Sequence, residues 1–144
     1  MPLESPGRPA QRWVFDVDGS VIDSLTGSSL RPGTAALITA LRAAFVTVVW
    51  WSAGGDDYAL ARAEQHAVDA LVDQFAAKEG RDGNGRYLTH HVAGDGDDVV
   101  FVDDRPEDLP IGATVIAVSP YLAHNPRDRG LEGAAQFAAS RGLL

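Results

Sequence analysis

The chain has 144 residues, a hydrophobic fraction of 45% and no cysteine, which predicts one globular domain and excludes disulfide frameworks, thiolate zinc sites and cysteine nucleophiles. Its formal net charge of −8 argues against tight non-specific binding to a nucleic-acid backbone. No apolar run reaches the roughly 18 residues of a membrane span, and residues 1–9 lack the apolar stretch of a signal peptide, so we expect a cytoplasmic protein without a membrane partner.

Short apolar runs alternate with helix-like segments along the chain. Residues 1–11 contain three prolines and predict a flexible lead-in to a single domain over residues 12–144. Apolar runs without alternation suit strands that are buried on both faces, and they lie at 13–15, 45–51, 99–102 and 113–118. Helices are predicted at 33–44, at 56–67 and near 130–141, with a short helix or mixed segment at 68–77 and loops at 80–85 and 94–98. This alternation predicts an α/β fold, a doubly wound three-layer sandwich with a mostly parallel central sheet.

Reactive side chains stand where three of these strands end, namely Asp16, Ser52 and the pair Asp103 and Asp104. In open α/β sheets ligands bind at the carboxyl ends of the strands, so we expect these residues to converge although they are distant in sequence.

After the first strand, Asp16 and Asp18 are two residues apart, and Gly19 permits a sharp turn of the backbone. Two such carboxylates can divide the work of nucleophile and proton carrier, and an aspartate-rich capping turn is the structural alternative. A calcium-binding EF-hand loop is excluded, because Gly27 stands where that loop needs its twelfth-position glutamate.

Ser52 and Lys78 are candidates for binding an anion. Ser52 precedes two glycines and the helix predicted to begin at Asp56, an arrangement that makes an anion-binding corner or a simple helix cap. Lys78 is the only lysine beside eleven arginines, which favours a role for a compact point charge. A solvated cation at a helix end, favoured by the helix dipole, is the alternative for Lys78.

The adjacent carboxylates of Asp103 and Asp104 follow a strand that is predicted to be buried, where like charges without a counter-ion are costly. A hard cation such as Mg²⁺ compensates such a pair, binding one or two carboxylates together with a substrate phosphate. A solvated acidic turn is the alternative.

The ordered set Asp16-x-Asp18-Gly19-Ser20, Ser52, Lys78 and Asp103-Asp104 with Asp108 resembles the four motifs of the haloacid dehalogenase superfamily of phosphotransferases. The resemblance spans residues 13–108, about two-thirds of the chain. It implies a Rossmann-like fold, Mg²⁺ as cofactor and a phosphohydrolase that forms an aspartyl-phosphate. The acid at position 18, which dehalogenases of this superfamily lack, favours a phosphomonoester as substrate.

Residue by residue, the resemblance implies that Asp16 is the nucleophile and that Asp18 protonates the leaving group and then deprotonates water. Ser52 and Lys78 would bind the phosphoryl oxygens.

The metal would be held by Asp16, by the backbone carbonyl of Asp18 and by Asp104. Asp108 would support the site, as would Asp103, which stands where many members have glycine. Which of Asp103 and Asp104 binds the metal directly stays open.

Only 31 residues separate Ser20 from Ser52 and only 25 separate Ser52 from Lys78, which leaves no room for a cap domain. An open site suits a phosphate displayed on a macromolecule, such as its phosphorylated end, or else a small phosphomonoester that a partner subunit covers. The alternative function is a non-catalytic phosphate- or metal-binding module with the same fold, and the net charge alone would also suit an acidic interaction protein.

Three other pairs of residues have simpler structural explanations than a functional site. His90 and His91 are adjacent, and adjacent side chains on a strand point to opposite faces, so a shared metal site is not expected. Trp50 and Trp51 are expected in the core. Arg127 and Arg129 offer contacts to a nucleic-acid phosphate, but the net charge favours ordinary surface arginines. The substrate and the oligomeric state cannot be predicted from these patterns.

Overall fold

A five-stranded, all-parallel sheet with the strand order β3-β2-β1-β4-β5 forms the centre of the computed structural model, which describes residues 11–94 and 97–144. The strands are β1 (Gln11–Asp16), β2 (Thr47–Ser52), β3 (Gln74–Ala77), β4 (Asp98–Asp103) and β5 (Thr114–Ala117). The helices are α1 (Thr34–Ala43), α2 (Asp56–Gln65), α3 (His90–Ala93) and α4 (Glu132–Ser140). Short 3₁₀ turns lie at Asp69–Leu71 and Pro106–Asp108. The predicted α/β fold with a parallel central sheet is confirmed.

Side chains that alternate along the central strands fill two cores, one on each face of the sheet. Trp13 and Phe15 of β1 pack with α1, α2 and α4, whereas Val14 packs on the opposite face, where α3 lies. Trp50 and Trp51 are fully buried on opposite faces, as expected for core residues. Because both faces are covered, the strands are continuous apolar runs rather than alternating ones.

The order of the strands reverses between β1 and β4. From β1 the chain proceeds through β2 to β3 at one edge, and it then crosses back to place β4 on the other side of β1. Phe15 of β1 pairs with Val102 of β4, so the next residues, Asp16 and Asp103, lie side by side at the carboxyl ends. Such a reversal opens a crevice at the strand ends, which is where open α/β sheets bind ligands.

The segment 68–77, predicted as a short helix or a mixed segment, is mixed. Its helical part is a single 3₁₀ turn, and residues 74–77 form the edge strand β3, which pairs with β2. Lys78 therefore follows the end of a strand and does not end a helix. The spacing of Leu71, Val72 and Phe75 imitates a helical face, but pairing with β2 decides the outcome.

Three other predicted segments have different boundaries in the structure. Phe45, predicted as the first residue of the second strand, is 60% exposed and has a φ of 64°, so β2 begins two residues later. Residues 1–10 of the predicted lead-in lie outside the described residues, and Gln11 already belongs to β1. Residues 95–96 of the predicted acidic loop also lie outside them, and Asp98 is the first residue of β4.

A compact loop connects β1 to α1 and leaves the carboxyl ends of the strands without a cap. Ile22 forms bridges with both Asp18 and Leu30, and three backbone N–H groups, those of residues 20–22, donate to the carbonyl of Val17. Across residues 11–94 and 97–144, no helix combines the length and the apolar character needed to cross a bilayer.

Candidate active site

A cavity of about 240 Å³, here called the aspartate pocket, opens at the carboxyl ends of β1, β2, β3 and β4. It is lined by the charged and polar residues Asp16, Asp18, Ser52, Lys78, Arg81, Tyr87, Asp103, Asp104, Arg105 and Asp108, together with Ala53. All the predicted site residues are therefore brought together. A larger cavity of about 390 Å³ lies between α1 and α4, and its walls are mainly apolar.

Lys78 lies between two buried aspartates at the floor of the aspartate pocket. Its Nζ donates to Asp16 Oδ1 at 2.7 Å and lies 3.8 Å from Asp103 Oδ2. All three side chains are more than nine-tenths buried. Strand alternation explains this convergence, because Asp16 and Asp103 project from the same face of the sheet as Val14 and Phe101. Lys78, two residues after Ala76, projects from that face at the end of β3, with β2 between it and β1.

Burial and mutual repulsion shift the titration of these groups. Burial raises the pKa of Asp16 well above its ordinary value, and the neighbouring Asp103 raises it further, against the opposing effect of Lys78. Burial is also the main cause that raises the pKa of Asp103 to about 6. For Lys78, burial opposes the charged form, but the two carboxylates outweigh it and the pKa is raised. Lys78 is therefore a protonated ammonium that lies close to the carboxyl groups of both Asp16 and Asp103.

Two aromatic rings also lie close to the ammonium of Lys78. Its Nζ lies 5.1 Å from the ring centre of Trp51 and 4.8 Å from that of Tyr87. The guanidinium of Arg81 covers Tyr87 at 4.0 Å. This stack holds the lysine in place by cation–π attraction.

Ser20, which had no assigned role in the sequence analysis, links Asp16 to Asp104. Its Oγ donates to Asp16 Oδ2 at 3.0 Å and accepts the backbone N–H of Asp104 at 3.0 Å. The fully buried guanidinium of Arg31 holds this turn by donating to the carbonyl of Ser20 at 3.2 Å, and it also pairs with Asp128 at 2.7 Å. No spacing pattern in the sequence marks Arg31, because its partners Ser20, Ser119 and Asp128 are 11, 88 and 97 residues away.

Asp18 lies apart from the Asp16–Lys78–Asp103 cluster and is held by α2. The hydroxyl of Tyr58 donates to Asp18 Oδ1 at 2.7 Å, and burial together with this hydrogen bond raises the pKa of the tyrosine. The two aspartates of the first motif thus have different surroundings, as a nucleophile and a proton carrier require. Tyr58 was missed, although its place in the first turn of a helix that begins after Ser52 is a usable signal.

Ser52 lies in the wall of the pocket, where its Oγ accepts the N–H of Gly54 at 3.0 Å. Its carbonyl accepts the N–H groups of Lys78 at 2.9 Å and of Gly55 at 3.1 Å. The serine therefore stabilises the turn before α2 and also fixes the backbone of Lys78. Its hydroxyl hydrogen has no acceptor among the described residues, so phosphate binding by Ser52 stays a prediction.

Asp108 faces two arginines at the mouth of the pocket. Its carboxylate lies 3.3 Å from Arg81 and 3.1 Å from Arg105. Since Arg81 in turn stacks on Tyr87, Asp108 acts on the cluster through the arginine. This contact agrees with a supporting position, as expected from the sequence.

The residues present fit a divalent cation. Oxygens of Asp16, Asp103 and Asp104 lie within 4.8 Å of one another, and Asp103 Oδ2 is buried without a hydrogen-bond partner among the described residues. Three carboxylates against the single ammonium of Lys78 leave an excess charge of −2, which a hard divalent ion would neutralise. The carboxylate of Asp18 is not part of this group, so its contribution through the backbone carbonyl stays a prediction.

Known structures share the fold of this chain. The core domain of a putative phosphoglycolate phosphatase from Streptococcus pneumoniae TIGR4 superposes with a TM-score of 0.56 at 10% identity, covering 91% of this chain and 96% of that one. A chain from the structure of the Pnkp1/Rnl/Hen1 complex gives a TM-score of 0.55 at 14% identity, covering 83% of this chain and 49% of that one. No protein-family model matches the sequence, and no curated protein matches it. The chain shares its α/β core fold with these two structures.

Proposed function

We propose that the chain is a Mg²⁺-dependent phosphohydrolase that cleaves phosphomonoesters through an aspartyl-phosphate on Asp16. The observation that carries this proposal is the cluster of Asp16, Lys78 and Asp103, which three different strands bring to one crevice. A buried carboxylate, a cation beside it and a separate second carboxylate are the groups that phosphoryl transfer to an enzyme nucleophile requires.

In the first half of the proposed reaction, a carboxylate oxygen of Asp16 attacks phosphorus and the ester P–O bond breaks. The leaving oxygen takes a proton from Asp18, which becomes a carboxylate. The hydrogen bond from Tyr58 stabilises that carboxylate as it forms, because the phenol donates to Asp18 Oδ1 at 2.7 Å. Lys78 and Ser52 bind the phosphoryl oxygens.

In the second half, Asp18 takes a proton from water, and the hydroxide oxygen attacks the phosphorus of the aspartyl-phosphate. The bond between phosphorus and the Asp16 oxygen breaks, which releases inorganic phosphate and restores both aspartates. Because the two carboxylates have different surroundings, one serves as nucleophile while the other carries the proton in both halves.

Mg²⁺ would be held by Asp16 and Asp104, with Asp103 and the backbone carbonyl of Asp18 as the further oxygen groups near it. When bound, the ion supplies positive charge against the phosphoryl oxygens and orients them. In this arrangement Ser20 keeps Asp16 and Asp104 at a fixed separation through its two hydrogen bonds.

The substrate class is a phosphomonoester whose phosphate reaches an uncapped pocket. Both a small molecule and the phosphorylated end of a macromolecule satisfy that condition. Phosphoglycolate, the compound in the name of a structural relative, belongs in the first set of substrates to test.

The decisive experiment measures hydrolysis of p-nitrophenyl phosphate and phosphoglycolate with Mg²⁺ or EDTA. Wild type is compared with Asp16→Asn and with Asp69→Asn, which makes the same chemical change at an exposed position outside the pocket. We expect activity that needs Mg²⁺, survives in Asp69→Asn and is lost in Asp16→Asn. Full Mg²⁺-dependent activity in Asp16→Asn would reject the proposed nucleophile.

A second measurement tests the intermediate itself. Asp18→Asn removes the base for the second half of the reaction, so it should let the phosphorylated enzyme accumulate with a substrate whose leaving group needs no proton. Acid-quenched digests should then show one phosphoryl group on the peptide that contains Asp16. A protein that binds Mg²⁺ and phosphate tightly but hydrolyses none of the tested esters would support the non-catalytic binding module instead.

A further inference from the structure

We propose that Glu79, His90 and His91 form a second metal site, separate from the aspartate pocket, that binds a divalent metal of the zinc type. The three residues belong to the segment between β3 and β4: Glu79 directly follows Lys78, and the histidines open α3. This proposal does not depend on the phosphatase chemistry.

The helical turn of α3 brings the two histidines together, contrary to the prediction from a strand. Residues 90–93 are helical, and the two imidazole rings lie with their centres 5.3 Å apart. The adjacent side chains therefore project to one side, where Glu79 approaches both of them. Adjacent side chains point to opposite faces only on a strand, so His90 and His91, which lie in a helical turn, can share one metal site.

The spacing of the donor atoms suits one small ion. Glu79 Oε1 lies 3.4 Å from His91 Nδ1 and 3.9 Å from His90 Nε2, and one donor atom from each residue lies within 4.8 Å of the others. Tetrahedral zinc with bonds of about 2.0–2.1 Å places its donors about 3.3 Å apart. Only small movements of the exposed His90 and Glu79 side chains are needed to reach that spacing.

His91 is already oriented as a metal ligand. Its Nε2 lies 2.6 Å from the carbonyl oxygen of Ala77, and because a carbonyl only accepts, Nε2 carries the hydrogen. In the neutral ring, Nδ1 therefore presents its lone pair towards Glu79. This Nδ1 is buried and has no hydrogen-bond partner among the residues that the structure describes. Metal-binding histidines commonly use their other nitrogen to donate to a backbone carbonyl in this way.

A lone pair that faces a carboxylate oxygen at 3.4 Å is repulsive unless a proton or a metal cation lies between them. Two imidazoles and one carboxylate prefer Zn²⁺ and related transition metals, whereas the all-carboxylate aspartate pocket prefers Mg²⁺. Such an ion would tie the residue after Lys78 to α3 and so brace one wall of the pocket.

The test titrates untagged, metal-free protein with Zn²⁺ by calorimetry, in millimolar Mg²⁺ to occupy the aspartate pocket. Co²⁺ then serves as a spectroscopic probe, since tetrahedral Co²⁺ with nitrogen ligands absorbs in the visible range. Glu79→Gln and His90→Ala alter exposed side chains and should not affect folding, whereas His91→Ala also removes packing against Trp51. His124→Ala is the matched control, because it removes an exposed histidine elsewhere.

We expect one Zn²⁺ per chain, and binding weakened at least about tenfold in each of the three ligand variants. His124→Ala and Asp16→Asn should bind Zn²⁺ as tightly as the wild type does. Zn²⁺ should raise the Tm of the wild type and of these two variants, but not that of the three ligand variants. The proposal is overturned if wild type binds no more tightly than His91→Ala, or if Asp16→Asn abolishes binding. It is also overturned if Glu79→Gln and His90→Ala bind Zn²⁺ as wild type does, since His91 would then act alone or in an ion pair with Glu79.

Discussion

Replacing Lys78 by methionine should reveal how much stability one ammonium provides to two buried carboxylates. Lys78 Nζ lies 2.7 Å from Asp16 Oδ1 and 3.8 Å from Asp103 Oδ2. Methionine keeps the apolar stem but removes the charge, and breaking a buried ion pair costs about 3–5 kcal/mol. A separate route gives a similar figure, because keeping one carboxyl protonated at pH 7 against an ordinary pKa of about 3.9 costs about 4 kcal/mol. We expect the free energy of unfolding without Mg²⁺ to fall by about 3–4 kcal/mol at pH 7.

The pH dependence of this loss distinguishes charge from packing. In Lys78→Met a buried carboxyl holds a proton that the unfolded chain releases, so the stability of the variant falls relative to wild type as the pH rises. A fully bound extra proton is worth about 1.36 kcal/mol per pH unit, and wild-type Asp103, with a pKa of about 6, already binds about half a proton on average over this range. The loss should therefore be about 1.4 kcal/mol smaller at pH 5 than at pH 7. Urea unfolding in EDTA at both pH values measures it. Arg42→Met, which removes an exposed partner of Asp73, is the control and should cost less than about 1 kcal/mol at either pH. An equal loss for Lys78→Met at both pH values would refute the charge argument.

Three further predictions concern Tyr58, Asp103 and Asp23. Tyr58→Phe should lower kcat by about 10- to 100-fold with little change in KM, because a hydrogen bond to the carboxylate that forms on Asp18 is worth about 1.5–3 kcal/mol. Steady-state kinetics measure both constants, and an unchanged kcat would contradict this prediction. The pKa of Asp103 is raised from its ordinary value of 3.8 to about 6, so the metal-free folded protein keeps the Asp103 proton at pH values where the unfolded chain has released it. The free energy of unfolding of the metal-free protein therefore falls as the pH rises from about 4 to about 6. Mg²⁺ needs the carboxylates deprotonated and should therefore raise Tm more at pH 7 than at pH 5; a thermal shift independent of pH would count against the site. Asp23→Asn should reduce the free energy of unfolding by about 2–3 kcal/mol at neutral pH and by less in acid. The reason is that the hydrogen bonds from Thr26 and Ser29 outweigh burial and lower the pKa of Asp23. Denaturant unfolding at the two pH values measures the loss, and a loss below about 0.5 kcal/mol at neutral pH would contradict the prediction.

Convergence of the site could be predicted because strand alternation and strand order act over long sequence distances in a simple way. An apolar run that stops at Asp16 and another that stops at Asp103 bring both carboxylates to one edge as soon as the strands pair in parallel. That argument needs only the ends of the strands. It therefore survives errors of one or two residues in their boundaries, as happened at Phe45.

Other features depend on tertiary contacts that leave no periodic pattern. The strand β3 has four residues at the edge of the sheet, and its pairing with β2 prevails over a local spacing that resembles a helix. Tyr58 reaches Asp18 across 40 positions, and Arg31 reaches Asp128 across 97. The juxtaposition of His90 and His91 with Glu79 follows from a single helical turn, which the sequence alone did not indicate.

Charge balance connects these observations. The aspartate pocket is lined by five carboxylates and three cationic side chains, and a phosphomonoester dianion adds two further negative charges. The carboxylates are those of Asp16, Asp18, Asp103, Asp104 and Asp108, and the cations are Lys78, Arg81 and Arg105. Lys78 alone cannot satisfy Asp16, Asp103 and a phosphate, so binding of the substrate has to draw positive charge into the pocket. A divalent cation held by Asp16 and Asp104, close to Asp103, would meet this need and leave Lys78 to bind the phosphate. Burial is the main cause that raises the pKa of Asp103, and a cation bound beside it would favour the carboxylate and lower that pKa.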